Sequence, residues 1–241
     1  MAASAIPPIP ERCDTCAVRH KAICAVLSRE ELGGLNRIAR ARVVPAGQVI
    51  SGGADDIVFA NIVSGVIKLT KTLADGRQQI VGLQFPPDFL GRTHGQPGTY
   101  FAEAATDVEL CAFPSDGFKS MLKRYPDLEH RLFENTLDEL DAAREWMLLL
   151  GRKTAQEKVA SLLLMISRRV LDIGCAHSED MNFAHFTLPL TRADIADYLG
   201  LTLETVSRQM TRLKTLGVIE LIDNREISVP DLRALEQVAD P

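Results

Sequence analysis

Four cysteines have the residue type and number that a metal centre needs. Three lie close together near the amino terminus, at Cys13, Cys16 and Cys24, and Cys111 lies far along the chain. Four thiolates can hold an iron–sulfur cluster. Zinc is an equally good candidate from the spacing, because the three local cysteines with His20 would make a closed site without Cys111. Thiols that bind no metal are the third alternative.

A second group of residues has the chemistry for reading base pairs. Glu204, Ser207, Arg208 and Thr211 follow a spacing that places them on one face of a helix. An arginine can donate two hydrogen bonds to guanine, a glutamate can accept one from cytosine, and a serine can contact several bases. We therefore expect Glu204, Ser207 and Arg208 to read bases. A surface ion pair between Glu204 and Arg208 is the simpler alternative.

The residues around this helix predict a winged helix-turn-helix. Thr191, three residues before Asp194, predicts the cap of a first helix, and Thr202 predicts the cap of the second. Apolar residues should form the inward face of the second helix, and segments 218–222 and 225–229 should form a two-stranded wing. The expected inward residues are Val206, Met210, Leu213 and Leu216.

Phosphate contacts should position this helix on DNA without reading sequence. Thr191, Thr205 and Arg212 are the candidates. The net charge of −5 is unlike that of most nucleic-acid binders, so local arginines would have to supply the positive charge.

Composition and hydropathy indicate an ordinary globular protein of 241 residues. No apolar run is long enough to cross a bilayer, and the first ten residues do not resemble a signal peptide. We therefore expect a cytoplasmic protein without a membrane partner, in which five cysteines indicate metal or redox chemistry rather than disulfides. Cys175 lies in a polar stretch and is interpreted as a free thiol.

The elements that would position these residues fall into an α+β arrangement. Short β-rich runs separated by turn signals predict an antiparallel β-roll of the jelly-roll type, and Asp75-Gly76 predicts a hairpin. The runs lie at 49–50, 57–63, 66–70, 79–83, 100–104 and 108–113.

A long helix should follow the β-roll, because no glycine or proline occurs between Pro126 and Gly151. Its apolar stripe could pack on its own domain, but a helix of this length favours a homodimer seam. The expected seam residues are Leu137, Leu140, Arg144 and Met147. The predicted organisation is a cysteine-rich segment at 1–30, a β-roll at 31–124, a dimerisation helix at 125–151 and the winged helix-turn-helix at 152–241.

These features together resemble the CRP/FNR superfamily, and within it the FNR branch of anaerobic regulators. The run Glu204-Thr205-Val206-Ser207-Arg208 is similar to the family's recognition-helix signature, and residues 75–91 are similar to its β-roll. The amino-terminal cysteine trio with Cys111 is similar to the ligand set that distinguishes FNR proteins from relatives without a cluster.

The resemblance implies a [4Fe-4S] cluster held by Cys13, Cys16, Cys24 and Cys111, which oxygen degrades, so that the dimer and its DNA affinity weaken. It also implies a two-fold symmetric DNA site with TTGAT-like halves and RNA polymerase as a partner. Cyclic AMP is an unlikely effector, because residues 99–104 lack the arginine with which nucleotide-binding relatives hold phosphate.

No phosphate loop, nucleophile elbow or metal-hydrolase motif occurs, so we do not expect an enzyme. The alternative function is a DNA-binding regulator without a cluster, stabilised by zinc or responsive to a small effector. A heme in the β-roll would have His94 as its best-placed ligand.

Overall fold

A computed structural model describes residues 8–50, 59–91, 100–174, 182–223 and 225–240. The chain divides into two compact units. The first contains Met1–Lys71 and Leu83–Asp141, and the second contains Thr72–Gly82 and Ala142–Pro241. Among the described residues, no helix has the length and apolar character that crossing a bilayer requires.

Two antiparallel sheets build the β part of the chain. One has the strand order β1-β7-β2-β5 and the other β4-β3-β6. Their inner faces enclose an apolar core that includes Ile62, Ile67, Ala102 and Leu110. The strands are β1 (Arg40–Val44), β2 (Phe59–Ser64), β3 (Ile67–Thr72), β4 (Gln78–Gln84), β5 (Phe89–Gly91), β6 (Phe101–Ala104) and β7 (Val108–Phe113).

The outer face of the first sheet forms a second core with the helices. Successive side chains of a strand point to opposite faces, so Leu110 of β7 lies in the inner core while Cys111 and Phe113 lie outside. Phe118 stacks against Phe113 with ring centroids 5.3 Å apart, and Leu128 is fully buried beside them.

Four helices and one 3-10 turn of the first unit surround this outer core. They are α1 (Glu11–Asp14), the 3-10 turn Ile23–Val26, α2 (Arg29–Ile38), α3 (Ser115–Arg124) and α4 (Pro126–Arg152), of which α4 continues into the second unit. The side chain of Ser28 accepts from the backbone N–H of Glu31 and the side chain of Glu31 accepts in return, a capping box that starts α2. Pro126 opens α4, a position that suits its fixed φ and missing N–H.

The second unit has the architecture of a winged helix-turn-helix. A three-stranded sheet with the order β8-β10-β9 packs with helices, and α5 lies against α7 and α8. The elements are α5 (Ala155–Gly174), β8 (Ala184–Thr187), α6 (Arg192–Leu199), α7 (Leu203–Thr215), β9 (Glu220–Leu221), β10 (Glu226–Val229) and α8 (Leu232–Ala239).

The expected α+β fold is confirmed, with three corrections. β1 begins at Arg40, before the predicted start of the strands, and β5 was not predicted because it directly follows the turn residues 86–88 and gains its strand conformation by pairing with β2. The predicted wing of two strands lacked a third strand, since β10 pairs with β8 as well as with β9. Ala184–Thr187 follows a polar stretch and gains its strand conformation from that pairing.

Gly65 supplies a test of the turn between β2 and β3. Its φ is +82°, and a Cβ at this position would clash with the carbonyl oxygen of Asp107. We expect Gly65→Ala to lower the free energy of unfolding by about 2 kcal/mol or more, because neither backbone can move cheaply. Urea denaturation followed by circular dichroism measures this.

Gly33→Ala is the matched control for that measurement. Gly33 lies in α2, and nothing stands within 4 Å of the added methyl group. This substitution should leave stability unchanged or raise it by up to about 1 kcal/mol. Equal effects of the two substitutions would contradict the assignment of strain to Gly65.

Candidate metal centre and nucleic-acid interface

The four cysteines line one cavity of about 460 Å³ in the first unit. Cys13 lies in α1, Cys16 follows it in a turn, Cys24 lies in the 3-10 turn, and Cys111 lies on β7. All four are partly buried. The fold therefore brings a cysteine from the sheet to the same cavity as the three that are close in sequence.

Apolar packing holds the amino-terminal segment over the sheet. Ile23 is fully buried in the outer core, and its neighbour Cys24 packs against the same core as Cys111. Arg131 of α4 donates from Nη2 to the carbonyl oxygen of Lys21 at 3.4 Å. The segment is thus attached to both the sheet and the beginning of α4.

Burial favours the protonated thiols of Cys13, Cys24 and Cys111 over their thiolates. It raises the pKa of Cys24 to about 12 and that of Cys111 to about 11, and it raises the pKa of Cys13 as well. Charge on the neighbouring cysteines adds to the effect at Cys24, whereas Arg12 opposes it at Cys111. A bound metal would have to displace these protons, since only thiolates ligate strongly.

Two asparagines contact the cysteines inside this cavity. Nδ2 of Asn61 lies 3.9 Å from Sγ of Cys24, and Oδ1 of Asn36 lies 3.7 Å from Sγ of Cys13. Arg12 donates to the same oxygen of Asn36 at 3.1 Å. Sequence reasoning missed both asparagines, because a polar residue within a strand or amphipathic helix normally indicates a solvent-facing position.

His20, the histidine of the zinc alternative, does not line the cavity. It is exposed, and its Nε2 lies 3.1 Å from Nη2 of Arg19. Among the described residues, no three cysteine, histidine, aspartate or glutamate side chains are arranged as metal ligands. The thiols share a cavity without forming a closed ligand shell. Cys175 and His94 lie outside the described residues.

Helix α7 presents the predicted base-reading face to solvent. Glu204, Ser207, Arg208 and Thr211 are all exposed. Hydrogen bonds from the Glu204 backbone N–H and the Thr202 hydroxyl hold the pKa of Glu204 below its usual value, so this side chain is a charged acceptor. Arg208 donates to Oγ1 of Thr205 at 3.5 Å. The ion pairs among the described residues do not include one between Glu204 and Arg208.

The opposite face of α7 packs into the second unit, with one correction. Val206, Met210 and Leu213 are buried as expected, but Leu216 is 54% exposed. Leu216 is the C-terminal cap residue, and Gly217 after it has a φ of +73°. The chain leaves the helical path there, so the periodicity that placed Leu216 inward no longer applies.

The three predicted phosphate contacts lie in different surroundings. The hydroxyl of Thr191 caps α6 by accepting from the N–H of Asp194 at 3.1 Å, and it also donates to that side chain at 2.6 Å. Thr205 is half-buried and accepts from Arg208, whereas Arg212 is exposed near the end of α7. Arg212 is therefore the least constrained of the three.

The apolar stripe of α4 divides into a buried and an exposed part. Leu128 is buried and Leu132 half-buried against the outer core of the first unit. Leu137 and Leu140 are each 44% exposed, and Met147 is 63% exposed. Arg144, the fourth expected seam residue, is also exposed. Within the second unit, Trp146 of the same helix packs against Tyr198 of α6 with centroids 5.7 Å apart.

Comparison with known proteins identifies the two halves of the chain separately. The Crp-like helix-turn-helix domain family matches residues 157–238, and the cyclic nucleotide-binding domain family matches residues 41–125. The transcriptional activator protein FnrL of Cereibacter sphaeroides is 49% identical over 237 residues, which cover 98% of this chain and 95% of the relative. The chain belongs to the CRP/FNR family of transcription regulators.

Other members of this family agree in sequence and in fold. The nitrogen fixation regulation protein FixK of Bradyrhizobium diazoefficiens is 38% identical over 235 residues, 97% of this chain and 96% of the relative. The solved structure of FixK2 from Bradyrhizobium japonicum has a TM-score of 0.72 and 31% identity, covering 85% of this chain and 98% of that one. The chain is thus a DNA-binding transcriptional activator of the FNR/FixK type rather than an enzyme.

The cap of α7 gives a test of how the recognition helix is held. Oγ1 of Thr202 accepts from the backbone N–H of Thr205 at 3.2 Å. We expect Thr202→Ala to lower the free energy of unfolding by about 1 kcal/mol, the usual cost of removing an N-cap. Denaturation of the full chain, followed by circular dichroism, gives the value. Thr215→Ala, at the exposed other end of α7, is the control and should have a clearly smaller effect.

Proposed function

We propose that the chain is an oxygen-responsive activator in which Cys13, Cys16, Cys24 and Cys111 hold a [4Fe-4S] cluster. The observation that carries this proposal is that Cys111 lines the same cavity as the cysteine trio, whereas His20 does not. When bound, such a cluster would supply a redox-reactive group that oxygen degrades. A zinc site built from the local cysteines and His20 would not need Cys111.

The surroundings of the cavity support this ligand set. Leu35 and Phe113 contribute apolar lining, which limits contact of the site with water. Arg12 and Arg19 also line the cavity, and their positive charges would offset the negative charge that four thiolates bring. Charge, hydrogen bonding and solvent exposure are the properties through which a protein adjusts such a centre.

The route by which the site would influence the dimer runs through the outer core. Cys24 and Leu27 pack against the same cluster of side chains as Leu128 and Leu132 of α4. Binding of the cluster by the cysteines would hold the amino-terminal segment in this position. Loss of the cluster would release the segment. The packing at the beginning of α4 would then change.

The exposed apolar part of α4 is the proposed seam of a homodimer. Large apolar side chains in a row on an exposed helix face are unusual unless a partner covers them. Leu137, Leu140 and Met147 meet this description, and Arg144 lies among them. A dimer places two recognition helices on two half-sites, so weaker dimerisation lowers DNA occupancy at both halves together.

On DNA, Arg208 would read guanine, Glu204 the cytosine opposite and Ser207 a thymine, within TTGAT-like half-sites of a palindrome. Their shared exposure on α7 supports these roles. RNA polymerase is the proposed protein partner of the activator. Cyclic AMP is not the proposed effector, because residues 99–104 carry no arginine with which to hold a nucleotide phosphate.

Two matched substitutions separate the cluster from zinc. We expect Cys111→Ala to lose iron and visible absorption after anaerobic purification, while His20→Ala keeps both at wild-type level. The reason is that the first substitution removes a proposed ligand and the second removes an exposed side chain outside the cavity. Metal analysis and anaerobic absorption spectra measure the outcome. A colourless wild type with stoichiometric zinc, lost in His20→Ala, would sink the proposal.

Arg208 and Arg212 test the division between base and phosphate contacts. Arg208→Lys keeps the positive charge but cannot donate two parallel hydrogen bonds to guanine, so discrimination against other bases at that position should fall by roughly 1–3 kcal/mol. The slope of the logarithm of the binding constant against the logarithm of the salt concentration (the salt slope) should stay unchanged. Arg212→Gln should weaken binding to all sites alike and lower the salt slope by about 1.

Fluorescence anisotropy titrations with consensus and singly substituted DNA sites, at several salt concentrations, measure both quantities. The anaerobic wild type serves as the reference. If Arg212→Gln changed the base preference while Arg208→Lys did not, the two assignments would have to be exchanged.

A further inference from the structure

Asn61 is the most buried polar side chain at the cysteine cavity. It is 2% exposed, on a strand where Phe59, Ala60 and Ile62 are also buried. Alternation along β2 places Ala60 and Ile62 in the inner core and leaves Asn61 on the outer face of the sheet with Phe59. On that face it lies opposite Cys111 in the antiparallel register of β2 with β7.

The side-chain amide of Asn61 contacts a cysteine with its nitrogen, while its oxygen has no hydrogen-bond partner among the described residues. Its Nδ2 lies 3.9 Å from Sγ of Cys24, while its Oδ1 is buried without a hydrogen-bond partner among the described residues. A buried amide oxygen without a partner costs about 1–3 kcal/mol, and a residue kept only for packing would be apolar. The contact with Cys24 is the one polar interaction of this side chain that the structure shows within the described residues.

We propose that Asn61 is a positioning residue that donates its amide N–H to the thiolate of Cys24 and thereby adjusts the reduction potential of the centre. The proposal rests on the proposed function, since it requires the cluster. A hydrogen bond to a charged acceptor is markedly stronger than one to a neutral thiol. The contact would therefore strengthen when Cys24 becomes a ligand.

The direction of the effect follows from electrostatics. A donor that points at a ligand sulfur stabilises the more negative, electron-rich state, so it raises the reduction potential. Oxygen acts by withdrawing electrons, and a higher potential makes that withdrawal harder. Asn61 would thus slow the response to oxygen. Arg12 and Arg19 line the same cavity, and their positive charges would also raise the reduction potential. Unlike the hydrogen bond from Asn61, this electrostatic effect is not confined to one sulfur.

The test compares Asn61→Leu with a matched control. Leucine has the same branched shape and number of heavy atoms as asparagine but lacks the donor, so the cluster should show a lower midpoint potential. In air-saturated buffer it should bleach roughly tenfold faster than wild type, the factor that corresponds to the low end of the strength of a hydrogen bond to a charged group. Thr70→Val is the control, because Thr70 is a buried β-roll residue that does not line the cavity and whose hydroxyl has no hydrogen-bond partner in the described part of the chain. Its potential and bleaching rate should match wild type.

Asn61→Val keeps the test decisive where Asn61→Leu fails to fold or to load iron. Valine has no donor and its branched side chain suits a strand, so its midpoint potential should also lie below that of wild type and its bleaching should be faster. Wild-type values for whichever of these two variants loads iron would overturn the role of Asn61 alone. An iron-free wild type would overturn the proposed function, and this proposal with it.

Discussion

The alternation of side chains along β7 is the constraint on which the cysteine cavity depends. Leu110 and Ala112 point into the inner core, and that burial fixes the register of the strand. Cys111, between them, must then face outward, toward the helices. A shift of one residue would place the thiol inside the roll and the leucine outside, so the hydrophobic effect that stabilises the β-roll also positions the thiol.

In the amino-terminal segment, a buried apolar residue positions the reactive cysteine next to it. Burial of Ile23 holds Cys24 near the sheet, because the two are neighbours in a short 3-10 turn. The same burial desolvates the thiol and raises its pKa to about 12. Burial thus favours neutral thiols at Cys13, Cys24 and Cys111, and ligation has to overcome the cost of deprotonating these buried groups.

The second unit could be predicted from sequence more fully than the cysteine site, and the reason is the range of the interactions. The caps at Thr191 and Thr202 act within a few residues, so local spacing identifies them. Leu216 was misplaced only because periodicity cannot show where a helix ends. β8 required a partner that lies far along the chain, at β10.

The cysteine site depends on pairings that local sequence does not contain. The sequence provided the number of thiols, but it left zinc and a cluster as open alternatives, because only the packing of the amino-terminal segment over the outer face of β7 brings Cys111 to the same cavity as the trio. Asn61 illustrates the same limit more sharply, since one polar residue between Ala60 and Ile62 resembles the solvent face of an edge strand. Only the helices and the amino-terminal segment packed over that face turn it into the interior. The amide oxygen of Asn61 is buried without a hydrogen-bond partner among the described residues, at a cost of about 1–3 kcal/mol. The proposed role of the cysteines beside it explains a polar residue here better than packing does.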